Sequence, residues 1–224
     1  EPAVPAAEQP PKSASPPPTP LFRDVSSLIS HSHVESAFDD WAVQPLLPRR
    51  LSHAGPGIAW GDLDGDGWEE LAIGAGRGDR LAVFRNDQGR ALVREPESAT
   101  APGDQTSIVG WPDGQGHRTL LATASNLEGN TGADSQLQIF SPGQWSTPKS
   151  FAVGRDEPGP MALADVDGDG DLDLFLGGRS RPGRYPEPAS SSLWINDAGT
   201  LRRDEAWSRP FQSMGIVQGA TAAD

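Results

Sequence analysis

Asp62-Leu-Asp-Gly-Asp-Gly-Trp-Glu-Glu70 and, 103 residues later, Asp165-Val-Asp-Gly-Asp-Gly-Asp-Leu-Asp173 are two copies of one acidic nonapeptide. Each puts Asp at positions 1, 3 and 5, Gly at 4 and 6, and an acid at 9. That spacing lets a sharply turned backbone aim several oxygens inward, and Ca²⁺ takes about six to eight oxygens at about 2.3–2.6 Å. The candidate ligands are Asp62, Asp64, Asp66, the Trp68 carbonyl and Glu70 in the first loop. In the second they are Asp165, Asp167, Asp169, the Asp171 carbonyl and Asp173. Gly65, Gly67, Gly168 and Gly170 give the backbone freedom such a turn needs. A hard, net-negative oxygen set disfavours zinc and copper, and Mg²⁺ sheds its water reluctantly. An EF-hand loop opens the same way but closes on a Glu at position 12, where this chain has Ile73 and Leu176. Asp-Gly pairs also close hairpins. Four or five spaced carboxylates occurring twice exceed what a turn requires, and they would repel one another without a cation.

The similarity extends outward from the loops. Gly57-Ile-Ala-Trp-Gly61 and Leu71-Ala-Ile-Gly-Ala75 flank the first loop as Pro160-Met-Ala-Leu-Ala164 and Leu174-Phe-Leu-Gly-Gly178 flank the second. Each copy then runs into a further strand ending in one turn, Ala82-Val-Phe-Arg-Asn86-Asp-Gln-Gly89 and Leu193-Trp-Ile-Asn196-Asp-Ala-Gly199. Between them Gly110-Trp-Pro-Asp-Gly-Gln-Gly116 and the following apolar run form a third copy, with Trp111, Gln115 and Thr119 aligned on the first, third and last carboxylates. That blade is expected to have kept its strands and lost its metal. A fourth copy opens at Gly219-Ala-Thr-Ala-Ala-Asp224. Repeats therefore start near residues 57, 106, 160 and 219. A period of about 50 to 60 residues holding several short strands is the size of one four-stranded propeller blade. The expected fold is all-β: a partial β-propeller of about three complete repeats and a truncated one, part of a longer protein.

Composition fits that fold. In 224 residues, 26 Gly and 22 Pro make about a fifth of the chain against a usual share of about 12%, which favours short strands and tight turns over long helices. The formal charge of −13 would repel nucleic acid and anionic membranes, and eight of the acids are the candidate carboxylate ligands of the two loops. Cysteine is absent, which excludes disulfides, thiolate zinc sites and a cysteine nucleophile. The sequence has no apolar run long enough to span a membrane and no signal peptide, and its start at Glu1 reads as a processed protein or an excised fragment. Residues 1–20, with eight prolines, read as a Pro-rich disordered linker, residues 21–54 as an irregular lead-in, and residues 55–224 as the repeat region.

On the motifs Asp62–Ala75 and Asp165–Gly178 the chain resembles the FG-GAP or VCBS repeats of integrin α-subunit propellers and of many exported bacterial proteins. More narrowly, Phe38-Asp-Asp, Gln44-Pro-Leu-Leu-Pro48, Leu51-Ser52 and Gly55-Pro-Gly57 look like bacterial proteins related to cartilage acidic protein, the group that often ends in an ASPIC/UnbV domain. The resemblance implies Ca²⁺ in the two matching loops. It implies a non-enzymatic scaffold for adhesion or for a protein or carbohydrate ligand. Weak sites of this type suit the extracellular, cell-surface or periplasmic space, where Ca²⁺ is about 10⁻⁴–10⁻³ M. The loop Arg179–Pro188 is the expected contact surface. The competing reading is an exported propeller enzyme acting on polysaccharides or esters. Its candidate bases are His31, His33, His53 and His117, with His31 and His33 spaced as a possible metal pair. Ser52-His53 shows no partner acid in the sequence. Trp60, Trp68, Trp111, Trp145, Trp194 and Trp207 could stack on sugars, but their blade positions predict core packing.

Overall fold

The computed structural model describes residues 21–22, 24–112, 118–129 and 132–222. The Pro-rich segment, Gln115 and His117 of the middle repeat, and Asp224 of the fourth lie outside the described residues.

Within the described residues the chain is nearly all β. After a 3-10 turn at Ser26–Leu28 and a one-turn helix α1 (Asp40–Val43), twelve strands follow in three groups of four. The first blade is β1 (Ile58–Gly61), β2 (Glu70–Ile73), β3 (Ala82–Asn86) and β4 (Leu92–Arg94). The second is β5 (Ile108–Pro112), β6 (Arg118–Ala124), β7 (Ser135–Phe140) and β8 (Lys149–Gly154). The third is β9 (Glu157–Ala164), β10 (Asp173–Ser180), β11 (Ser192–Asp197) and β12 (Thr200–Asp204), capped by the short helix α2 (Glu205–Ser208). Each sheet is an antiparallel meander in chain order. The first strands of the blades neighbour one another, β1 beside β5 and β5 beside β9. This is the arrangement of adjacent blades in a β-propeller.

Alternation along the second strand of each blade builds the interfaces. Leu120 and Ala122 of β6 join Phe140 and Trp145 against Ala72, Leu81 and Val83 of the first blade. Leu121, on the other face, joins Trp111 and Leu137 against Met161, Leu174, Leu176 and Trp194 of the third. The first blade's outer face, Leu71, Ile73, Ala82 and Phe84, is covered in part by Ile29 of the lead-in. Because a meander alternates direction, the turns leaving β1 and β9 lie on one rim and the loops leaving β2, β6 and β10 on the other. Along that second rim Ser36 donates to the Arg77 carbonyl at the first blade. Farther along, Phe38, Val43 and Leu47 face Leu127 of the second blade and Pro182-Gly183 of the third. Residues 219–222 form no strand.

Three expectations need correction. Trp60, Trp68 and Trp207 are 52%, 43% and 49% exposed, so they are not core residues, whereas Trp111, Trp145 and Trp194 are buried. The ladder also revises the middle repeat. Gly61 pairs with Glu70 and Ala164 with Asp173, but it is Trp111 that pairs with Thr119. Trp111 therefore stands on the rung that Gly61 and Ala164 occupy in their blades, and Pro112, which pairs with Arg118 one rung farther on, takes the first-ligand place. Between those matching rungs this blade has seven residues where its neighbours have eight, a difference that aligning the glycines conceals. Finally, His31 and His33, candidate bases and a possible metal pair by spacing, are half-buried, and His33 Nε2 lies against Glu35.

Candidate metal centres

The two acidic turns fold through the same hydrogen bonds. In the first, Asp62 accepts from the backbone N–H of Gly65 (2.8 Å) and of Gly67 (3.2 Å), Asp64 from Asp66 (3.2 Å), and Asp66 from Trp68 (2.8 Å). In the second, Asp165 accepts from Gly168 (2.7 Å) and Gly170 (3.0 Å), Asp167 from Asp169 (3.2 Å), and Asp169 from Asp171 (2.8 Å). The turn glycines have φ of 81° and 88° in one loop and 82° and 95° in the other, a region that side chains rarely adopt. The acid at position 9 ties the turn to the third strand. Glu70 accepts from Leu63 N–H (2.7 Å) and Asn86 N–H (3.3 Å), and Asp173 from Val166 N–H (2.8 Å) and Asn196 N–H (2.8 Å). Asn86 and Asn196 in turn each accept from the Gly three residues on, Gly89 and Gly199. The repeated Asn-Asp-x-Gly sequence is thus the partner of the acidic turn.

Oxygens from Asp62, Asp64 and Asp66 lie within 4.8 Å of one another, as do those from Asp165, Asp167 and Asp173. The groupings differ in one member. Glu70 stands outside the first trio and Asp169 outside the second. The Asp167 carboxyl is held above its ordinary value by loss of water and by the negative charges of Asp169, Asp173 and Asp165. At position 7 the Trp68 ring lies over Gly89, and the Asp171 carboxylate accepts from Ala198 N–H (3.2 Å), so both side chains reach the Asn-Asp-x-Gly turn.

A third acidic group was not visible in the sequence because its members are far apart in it. Glu35 of the lead-in, Asp104 before β5 and Glu128 after β6 bring oxygens within 4.8 Å of one another. Burial raises the Asp104 carboxyl to about 6, and burial together with the charges of Asp104 and Glu35 raises Glu128 to about 7. His33 Nε2 lies 2.6 Å from Glu35 Oε1, and burial holds His31 below its ordinary value. His53 sits in a polar cleft of about 240 Å³ with Arg49, Arg50, Arg179 and Tyr185, on the same rim. Ser52 does have an acid partner, but a structural one: its hydroxyl donates to buried Asp40 at 2.6 Å.

Three adjacent four-stranded blades, two of them with acidic turns between their first strands, define a β-propeller scaffold. Residues 54–93, the first blade with its acidic turn, match the FG-GAP repeat family. No curated protein matches the chain. Among the described residues no helix is long and apolar enough to cross a membrane.

Proposed function

We propose that the chain is part of an extracytoplasmic, non-enzymatic propeller scaffold that binds Ca²⁺ in the turns Asp62–Glu70 and Asp165–Asp173 and presents its opposite rim to a protein or carbohydrate ligand. The observation that carries the reading is that both turns make the same set of backbone-to-carboxylate bonds and converge three carboxylates each. Position 9 fixes its carboxylate to the third strand, so an ion there would clasp strands within a blade. The Trp68 and Asp171 carbonyls and the remaining carboxylates of each turn complete the proposed ligand sets. The cleft of Arg49, Arg50, His53, Arg179 and Tyr185, beside the loop 179–188, is the proposed contact surface. The likeness of residues 38–57 to bacterial relatives of cartilage acidic protein belongs to the same proposal.

With Kd near 10⁻⁴–10⁻³ M, 10 mM Ca²⁺ stabilises the native state by about 1.4–2.7 kcal/mol per site. Two sites should raise Tm by about 6–20 °C relative to EGTA. Thermal unfolding followed by circular dichroism measures this. An equal Tm in Ca²⁺ and EGTA, or an undiminished difference in Asp64→Ala plus Asp167→Ala, rejects the reading.

A further inference from the structure

The buried acids on the second rim are built into place by two close backbone approaches. A Cβ on Gly76 would lie 2.3 Å from the Val34 carbonyl, so the missing side chain lets Glu35 pack onto the first blade. A Cβ on Gly103 would lie 1.7 Å from the Ser125 carbonyl, so Asp104 can run beside the loop that carries Glu128. Ser125 N–H closes that contact on the Asp104 carbonyl (2.9 Å). Arg77 braces all three strands of chain. Its N–H donates to Asp104 Oδ1 (2.8 Å), its guanidinium to the Glu128 carbonyl (2.6 Å), and its own carbonyl accepts from Ser36.

What this framework holds is not satisfied by the protein. Glu128 is 4% exposed, and among the described residues both its carboxylate oxygens are buried without a hydrogen-bond partner. Glu35 Oε2 is in the same position, while its Oε1 is held by His33. Asp104 is 3% exposed. Buried carboxylates without partners are costly, and they are normally paired or bound to metal. The Arg77 guanidinium donates to a carbonyl, not to these oxygens. Oxygens no farther than 4.8 Å apart fit around one Ca²⁺, whose bonds of about 2.4 Å place opposite ligands about that far apart. The charges also close: three carboxylates, one guanidinium and one divalent ion sum to zero.

We propose that Glu35, Asp104 and Glu128 form a buried site for a hard divalent cation, Ca²⁺ by size, on the rim opposite the acidic turns. Such an ion would lock the lead-in to the first and second blades, a contact between separate parts of the chain that neither turn makes.

The full chain, stripped with EGTA, is dialysed against Ca²⁺ alone and against Mn²⁺ alone at pH 7.5, and bound ions are counted by elemental analysis. Glu128→Gln, which keeps the side-chain shape, should lower the count by one ion per chain in at least one of the two metals, and Glu35→Gln should do the same. Unchanged counts in both variants, with native circular dichroism, overturn the proposal and leave a proton as the occupant. In Asp64→Asn plus Asp167→Asn one ion should persist and vanish on adding Glu128→Gln. Failure of the acidic turns to bind would lower the wild-type count without removing the difference made by Glu128→Gln, so the two readings fail separately.

Discussion

Trp111→Asp separates two accounts of the middle blade. By sequence alignment the substitution restores the first ligand of a third acidic turn. By the ladder it puts a carboxylate into the core between the second and third blades, where Trp111 is 2% exposed and its indole N–H donates to the Leu172 carbonyl at 2.9 Å. Removing a buried Trp side chain costs about 3–5 kcal/mol. Burying a carboxyl with no partner adds about 1–3 kcal/mol even if it protonates. The sum, about 4–8 kcal/mol, is comparable with the whole stability of a typical domain, about 5–15 kcal/mol. Trp111→Phe keeps a ring in the core and gives up the hydrogen bond and part of the volume, so about 2 kcal/mol is expected. Urea unfolding in 5 mM Ca²⁺, followed by tryptophan fluorescence, measures both. Trp111→Asp should show no cooperative transition or one moved far toward zero denaturant, and Trp111→Phe a midpoint lower by about 1 M for a slope of about 2 kcal/mol/M. A Trp111→Asp protein within about 1 kcal/mol of the parent, with an extra bound Ca²⁺, would refute the register.

The remaining predictions concern the lead-in and the third blade. Burial alone would raise the Asp40 carboxyl, but bonds from Ser52 Oγ, Leu51 N–H and Ser52 N–H outweigh it and hold the group below its ordinary value. A depressed carboxyl contributes its stability above the unfolded pKa and loses it as pH falls through the folded value. Asp40→Asn should therefore cost about 2 kcal/mol at pH 7, and the gap from wild type should shrink in urea titrations as pH drops below about 4. Glu157, at 1% side-chain exposure, pairs with Arg179 and also accepts from Ser180 Oγ at 2.6 Å. Arg179→Met should cost about 3 kcal/mol, and adding Glu157→Gln should recover at least about half of it in a double-mutant cycle. Strict additivity would show that the pair does not interact.

The acidic turns were legible because every residue that shapes them lies within nine positions and recurs. The same locality made the repeat and its number of copies readable. Trp111 was misplaced because one residue fewer between the matching rungs leaves the glycine pattern intact while moving β5 by one rung. Only cross-strand pairing reveals that slip, since one rung exchanges the two faces of a strand. Blade position predicts core packing for Trp60, Trp68 and Trp207, but it does not say which side of β1, of the acidic turn or of α2 faces solvent, and all three rings are exposed. Glu35, Asp104 and Glu128 carried no sequence signal, being brought together by the fold. The two glycines that admit them, Gly76 and Gly103, are indistinguishable in sequence from ordinary turn glycines.

The two turns also show why calcium, as proposed, acts as a clasp and not as a template. Backbone N–H groups already hold Asp62, Asp165, Glu70 and Asp173, so the oxygens are arranged before an ion arrives, and little ordering remains to oppose binding. Those bonds stay inside one blade. The link between blades runs elsewhere: Trp111 of the second reaches Leu172, the residue before Asp173 in the third, and Asn196 donates to the same carbonyl at 3.3 Å. A blade whose sequence gives up the carboxylate pattern thus still supports its neighbour's acidic turn. Loosening Trp111 should therefore weaken Ca²⁺ at the second turn while leaving the first unaffected.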